Sequence, residues 1–326
     1  MDELNHSLTP EAKCFIEEWN DETTDFIEAH TSGSTGKPKQ IHLPKEMVAR
    51  SAIRSIKHFG ITPQSRLHLA LSPDYIAGKM LIVRALLAGC RLTAEQPSQT
   101  PLATDTDPTP IQLLSLVGAQ LPGFCESMRR PMAPRVRHLL LGGAPLNDSM
   151  RRLALSGDWT PWESYGMTET ASHIALRRIT ADNSLPFETL PGISVTLNED
   201  ECLVIDLGED GIFSTNDVAE LTDSRHFRIL GRKDNVIITG GLKVFPEQIE
   251  ALIAPAMPDG RRYFITSRPS ERWGQELILV VEGEPCPLPD LHKLGLGHHQ
   301  IPRDIIFQSK LSLTSSGKII RRLPGE

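Results

Sequence analysis

Phe26-Ile27-Glu28-Ala29-His30 runs directly into Thr31-Ser32-Gly33-Ser34-Thr35-Gly36-Lys37-Pro38-Lys39, and the fold is read outward from this join. The first five residues read as a short strand and the next nine as a small-residue turn, after which Ile41 and Leu43 alternate as in a returning strand. From Pro44 to Phe59 the apolar residues Val48, Ala52, Ile56 and Phe59 recur at helical spacing. Pro44 suits a first helical turn and Gly60 a helix stop. Strand, turn, strand and amphipathic helix therefore follow one another within 35 residues.

The alternation persists downstream. Leu67 to Leu71 reads as an apolar strand, Ile76 to Ala88 as a helix ended by Gly89, and Arg91 to Glu95 as a strand before a Pro/Thr/Asp-rich connector from Gln96 to Pro110. It continues through Ile111 to Leu121, the strand His138-Leu139-Leu140-Leu141, a helix opened by Asn147, and a strand ahead of Tyr165. Such alternation predicts a mainly parallel sheet covered by helices. Beyond Pro191 the strands are short: Ile193 to Leu197 and Cys202 to Ile205 flank the turn Asn198-Glu199-Asp200. A helix from Pro246, strands near Tyr263 to Thr266 and Leu277 to Val281, and a basic tail read as a small α+β unit. The expectation is an α/β chain with a large N-terminal domain, a small β subdomain and a small C-terminal α+β domain.

Composition narrows the function classes. The 326 residues exceed one ordinary domain, and 39% hydrophobic with 23% charged residues excludes disordered, collagenous and coiled-coil readings. A net charge of −7 offers no general attraction to nucleic acid or anionic lipid. Cys14, Cys90, Cys125, Cys202 and Cys286 are odd in number and lack zinc-ligand spacing, so a reduced, cytoplasmic setting is expected. The apolar run Met80 to Cys90 is short and broken by Arg84, so no membrane span is expected.

Several turns carry candidate chemistry. Thr31 to Lys39 holds two glycines, three hydroxyl residues after Thr31, and two lysines, the means to cradle phosphate with backbone N–H groups, hydroxyls and positive charge. It is not a Walker A loop, because Gly33 and Gly36 are too close and Pro38 follows Lys37. Read singly, it fits a flexible surface turn equally well. Tyr165-Gly166-Met167-Thr168-Glu169-Thr170 lies past a strand end, where a ring, a hydroxyl and a carboxylate can converge on a crevice, or simply form a turn. Asn216-Asp217, Gly231-Arg232-Lys233-Asp234, Gly240-Gly241 and Thr314-Ser315-Ser316-Gly317-Lys318 are ordinary turns singly; their order is informative. His298-His299 is read as a loop before Pro302 rather than a metal pair.

In that order, together with Gly142-Gly143-Ala144-Pro145, these segments resemble the adenylate-forming enzymes: acyl-CoA and aryl-CoA synthetases, adenylation domains of peptide synthetases, and luciferases. The resemblance implies a reaction in two steps. A carboxylate attacks the α-phosphate of ATP, and a thiol, usually that of coenzyme A, then displaces AMP. By the family pattern Thr31, Ser32, Gly33, Ser34, Thr35, Gly36 and Lys39 surround the β- and γ-phosphates. Gly142, Gly143 and Ala144 border the adenine, Tyr165 stacks on it with Gly166 and Met167 in the same motif, Thr168 lies near the α-phosphate, and Glu169 holds Mg2+. Asp217 and Arg232 match the ribose-binding pair, with Asn216 standing where the family usually has Gly. Asp234 matches the hinge, Lys318 the catalytic lysine of the first step, and Gly240 and Gly241 the glycines beside the pantetheine tunnel, with Lys243 near a coenzyme A phosphate or in a surface ion pair.

The resemblance divides the chain into a large adenylate-forming domain over 1–233, expected to lack much of the family's usual N-terminal portion, and a mobile lid over 234–326. Surface left open by that portion would be covered by a partner subunit. For the acid pocket, Tyr75 stands three residues before Gly78, where the family often has a gating aromatic. Lys79, Arg84 and His173 suggest a substrate with a second carboxylate, the alternative being that both cations face solvent. Ser172 to Leu176 and Leu116 to Leu121 look most like the compact o-succinylbenzoate-CoA ligases of menaquinone synthesis. Other aryl- or acyl-CoA synthetases, an enzyme loading an amino or aryl acid onto a carrier protein, and a non-enzymatic nucleotide-binding protein are the alternatives. Asp74 is the available partner for an amino-acid ammonium.

Overall fold

The computed structural model describes residues 8–30, 39–258, 261–313 and 319–323. The expectations at Thr31, Ser32, Gly33, Ser34, Thr35, Gly36 and Lys318 fall outside the described residues.

Helix α1 (Pro10–Asn20) opens the described chain; Thr9 caps it by accepting from Ala12 N–H, and Pro10 fills its first turn. Strands β1 (Phe26–His30) and β2 (Gln40–Pro44) pair antiparallel, with His30 opposite Gln40. The two ends of the small-residue segment are thus held side by side. Helix α2 (Lys45–Phe59) buries Val48, Ala52 and Phe59, as the spacing predicts, and Gly60 ends it at a φ of +59°.

Next come β3 (Arg66–Leu69), α3 (Ile76–Ala88), β4 (Arg91–Ala94), β5 (Ile111–Val117), α4 (Leu121–Ser127), β6 (Val136–Gly142), α5 (Asp148–Ala154) and β7 (Thr160–Gly166). The strands pair in parallel in the spatial order β4-β3-β5-β6-β7. The long connector before β5 lacks regular structure and is pinned by Arg66, which is buried and donates to Asp107 O and Thr109 O, each at 3.1 Å, and to the Asp105 carboxylate.

At β7 the sheet changes direction without ending. Strands β8 (His173–Arg178), β9 (Phe187–Thr189), β10 (Ser194–Leu197), β11 (Cys202–Asp206), β12 (Ile212–Leu221) and β13 (His226–Arg232) all join antiparallel. The short β9 pairs with both β8 and β13, which makes one sheet of eleven strands. The small β subdomain expected after Pro191 is therefore a continuation of the main sheet. Open α/β sheets bind ligands outside the carboxyl ends of their parallel strands.

After Arg232 the chain builds a separate core. Strands β14 (Ile237–Thr239) and β15 (Leu242–Val244) form a hairpin, α6 (Pro246–Ile253) follows, and β16 (Tyr263–Ser270), β17 (Gly274–Glu282) and β18 (Asp304–Gln308) make a three-stranded sheet. Ile249, Ile253, Ile265, Leu279 and Val281 are buried among one another. All five cysteines are free, and no helix among the described residues is long and apolar enough to cross a membrane.

Candidate active site

The C-terminal ends of β6 and β7 and the facing pair β12–β13 bring the expected nucleotide residues together. Asp217 lies opposite Arg232 in the β12–β13 ladder, and Arg232 Nη1 donates to Asp217 Oδ1 at 3.2 Å. Tyr165, near the end of β7, donates its hydroxyl to the other carboxylate oxygen at 2.6 Å. Burial first, and Asp217 second, push the phenol of Tyr165 far above its ordinary range, so it remains a donor at all working pH. Its ring is wedged edge-on against Phe227, with centroids 5.2 Å apart. Thr215 steadies the aspartate from below by accepting its backbone N–H at 3.0 Å. Each Asp217 oxygen accepts one side-chain donor and keeps lone-pair capacity for another.

Arg232 also reaches forward to Asp234 Oδ2 at 3.1 Å, and Asn216 Nδ2 donates to the same oxygen at 3.3 Å. Burial pulls the Arg232 guanidinium down, but its two carboxylates outweigh this and hold it above its ordinary value. The residue that replaces the family's Gly thus ties the Asp217 strand to the expected hinge. Its amide type gave no hint of this, because the contact spans eighteen residues of sequence.

Gly142 ends β6 where a side chain cannot fit: a Cβ would stand 2.5 Å from Ser164 Oγ. Gly143 follows at a φ of +87°, and Gly143 and Ala144 are exposed. Gly166 is similarly required, since a Cβ there would come within 2.3 Å of Ser172 O. Met167 leads into a single helical turn, Thr168–Thr170, whose Thr170 hydroxyl bridges Met167 O and Ser172 O at 3.0 and 2.9 Å. Thr168 and Glu169 are half-buried at this turn. No hydrogen bond or ion pair to the Glu169 carboxylate occurs among the described residues, so a hard oxygen ligand is free where phosphate-bound Mg2+ would need one. Lys39 is exposed just before β2.

The residues expected at the acid pocket separate into two groups. Lys79 is engaged by α1: its ammonium lies 3.0 Å from Glu18 Oε2 and 4.3 Å from the centre of the Phe15 ring. Tyr75 caps α3 and is 57% exposed. Arg84 and His173, by contrast, meet through Ser172. Arg84 Nη2 donates to Ser172 Oγ at 2.8 Å, and that hydroxyl lies 3.3 Å from His173 Nδ1. Among the described residues Arg84 has no carboxylate within ion-pair distance, and its buried Nε lacks a partner. Burial alone pushes its pKa down to about 9. His173 is pushed well below the ordinary imidazole range by burial, then by Arg84 and His58. Arg84 is thus a guanidinium buried close to the Thr168–Glu169 turn with no carboxylate partner among the described residues, an arrangement that carries a desolvation cost.

In the C-terminal part, Gly240 and Gly241 form the β14–β15 turn with φ of +56° and +81°. Gly240 N–H is held by Trp273 O at 2.8 Å. Beside it lies a cavity of about 60 Å³ lined by Gly240, Leu242, Trp273, His298, His299 and Arg303. Arg272 and Arg303 both stack toward the Trp273 indole, at 4.8 and 5.4 Å. Trp273 and Arg303 were invisible as site candidates in sequence because neither sits in a recognisable motif. Lys243 is paired with Glu201 at 2.5 Å, and Lys233 with Asp200 at 2.7 Å, both acids lying in the β10–β11 turn. No group of three or more His, Cys, Asp or Glu side chains is placed to hold a metal among the described residues.

Comparison with known proteins gives the family and the fold. Residues 15–222 match the family described as AMP-binding enzyme. A protein named 2-succinylbenzoate–CoA ligase from Listeria innocua is 28% identical over 317 residues, covering 90% of this chain and 68% of its own length. A structure of an acyl-CoA synthetase (AMP-forming)/AMP-acid ligase II-like protein from Dyadobacter fermentans superposes with a TM-score of 0.62 at 31% identity, covering 95% of this chain and 91% of that one. The o-succinylbenzoate CoA synthetase of Bacillus subtilis, solved with its acyl-adenylate intermediate, superposes with a TM-score of 0.78 at 22% identity, over 90% of this chain and 67% of that one, which speaks to the fold.

Proposed function

Because the chain belongs to the AMP-binding enzyme family, we propose that it is an ATP-dependent carboxylate–CoA ligase that works through an acyl-adenylate, with o-succinylbenzoate as its acid. The observation that carries the choice of acid is Arg84, a buried guanidinium without a carboxylate partner among the described residues, tied by Ser172 to the turn that bears Thr168 and Glu169. The names of the relatives supply the dicarboxylate that fits it. A plain fatty acid would leave the charge uncompensated, and an amino acid would bring its ammonium toward a cation. Asp74, the carboxylate that would have answered such an ammonium, is exposed and bonded to Ser72 Oγ at 2.8 Å.

In the first step an oxygen of the succinyl carboxylate attacks the α-phosphorus of ATP and pyrophosphate departs. Asp217 accepts the ribose hydroxyls, already oriented by Tyr165 and Arg232. Glu169 would hold Mg2+, and the charge so supplied would neutralise the phosphates. The hydroxyl of Thr168 faces the α-phosphate, and the small-residue segment ending at Lys39 takes the outgoing phosphates. Lys318 places an ammonium where charge builds on the α-phosphate oxygens, worth several kcal/mol in a dry cleft. In the second step the coenzyme A thiol loses its proton, its sulfur attacks the acyl carbon, and AMP leaves.

Asp234 is the hinge about which residues 234–326 turn between the steps. The Lys243–Glu201 ion pair and the Asn216–Asp234 contact hold the orientation seen here. Gly240 and Gly241 border the pantetheine path, and the Trp273–Arg303 cavity next to them suits an anionic, aromatic part of coenzyme A. The test is acid-dependent exchange of pyrophosphate into ATP across a panel of o-succinylbenzoate, benzoate, fatty acids and amino acids. Exchange should be greatest with o-succinylbenzoate; exchange with benzoate but not o-succinylbenzoate overturns the choice of acid, and exchange with no acid overturns the enzyme.

A further inference from the structure

The hydroxyl chain that begins at Arg84 does not stop at His173. His173 Nε2 lies 2.9 Å from Ser55 Oγ, on α2, and Ser55 Oγ lies 3.3 Å from Ser51 O one turn back in the same helix. Ser55 is fully buried, and Ser51, Arg84 and His173 are each more than nine-tenths buried. The direction of the protons follows from what each group can do. A guanidinium only donates, so Ser172 Oγ accepts from Arg84 and turns its own proton to His173 Nδ1. The imidazole then carries its single proton on Nε2 and donates to Ser55, whose proton goes to Ser51 O. This direction gives every proton in the chain an acceptor. The reverse would leave the Ser172 proton without a partner among these groups.

We propose that Ser55 is a positioning residue that determines acid specificity: through His173 and Ser172 it fixes the direction in which Arg84 presents its guanidinium to a second carboxylate. Among the described residues the Arg84 head is oriented by one side-chain hydrogen bond, to Ser172. Ser172 in turn follows Ala171, which takes a φ of +61° in the bend that ends the Thr168–Thr170 turn. A hydroxyl on α2 therefore sets the approach of a cation on α3 across two residues of a third segment. The inference rests on the reading of Arg84 given under Proposed function.

The test compares two acids that share the reacting carboxylate: o-succinylbenzoate, and benzoylpropionate, which lacks the ring carboxylate. For the unaltered protein the ratio of their KM values in pyrophosphate exchange gives the preference. Ser55→Ala should raise the KM for o-succinylbenzoate about tenfold relative to that for benzoylpropionate, with kcat on either acid altered far less. Ser172→Ala cuts the same chain at its half-buried link and should shift the ratio in the same sense, while Ser55→Thr, which keeps the hydroxyl, should restore it. Equal losses on both acids in Ser55→Ala and Ser172→Ala, or an unchanged ratio in both, overturn the role of Ser55. An unaltered protein that shows no preference for o-succinylbenzoate over benzoylpropionate overturns the reading of Arg84 instead, and this inference with it.

Discussion

Replacing Arg84 by Met should make the protein more stable and worse at its task. Burial without a carboxylate lowers the guanidinium from its ordinary value by more than three units, to about 9. At roughly 1.4 kcal/mol per unit, the charged head carries about 5 kcal/mol of desolvation, less what the bond to Ser172 returns. A Met side chain fills much of the same space, removes the charge and leaves no unsatisfied Nε. Apolar replacement of buried charge often stabilises by about 1–4 kcal/mol. The free energy of unfolding in urea at neutral pH should therefore rise by about 1–3 kcal/mol. Catalysis should move the other way. Hydrogen bonds to a charged partner contribute about 1.5–3 kcal/mol each, so kcat/KM on o-succinylbenzoate should fall about 100-fold. On benzoylpropionate the change should stay within about threefold. A variant that unfolds more easily than its parent, and loses both acids alike, would show that Arg84 is a structural strut and refute the reasoning.

Other outcomes follow from the same contacts. Lys318→Ala should abolish adenylation while leaving thioester formation from preformed acyl-adenylate largely intact; rapid-quench assays of each half-reaction separate the two. Asp217→Asn removes the charge that both Tyr165 and Arg232 address, and should raise the KM for ATP about 100-fold, read by pyrophosphate exchange at saturating acid. Arg321→Met should cost about 1–3 kcal/mol, because Arg321 Nη2 lies 2.7 Å from Glu250 Oε2 in a part-buried pair and its loss strands the carboxylate. Burial already holds Glu250 above the ordinary carboxylate value against the pull of Arg321. Without Arg321 it rises further, so the deficit should be smallest below about pH 4, where both folded and unfolded states are protonated, and grow as pH increases; urea titrations at several pH values check the slope.

Local rules carried much of the fold. The helices ended by Gly60 and Gly89 were legible because a left-handed stop after a periodic apolar run leaves little ambiguity. Asn147 as a cap was equally plain, and its side chain accepts from Met150 N–H at 2.9 Å. Helix α1 is hard to see in the sequence, although Thr9, Pro10 and the buried Ala12 and Phe15 carry its signal. Its low overall hydrophobicity hid a narrow apolar stripe. The continuity of the sheet was not legible, because it depends on the three-residue β9 pairing on both edges.

In the site, the order of turns placed Tyr165, Asp217 and Arg232 together, but the bond between Tyr165 and Asp217 joins residues 52 apart and no spacing rule reports it. Lys79 and Arg84 looked alike in sequence as cations on one helix. What separates them is a neighbour: Glu18 answers Lys79, and nothing among the described residues answers Arg84 with a charge.

Joining of an acid to coenzyme A by way of an acyl-adenylate is the activity proposed for this chain. It is tested most directly by a single-turnover reaction with o-succinylbenzoate, ATP, Mg2+ and coenzyme A, quenched over time and resolved by mass spectrometry. o-Succinylbenzoyl-AMP should appear first and then decay into o-succinylbenzoyl-CoA, with AMP and pyrophosphate formed in equal amounts. Release of ADP and phosphate, or formation of AMP that does not depend on the acid, would contradict it.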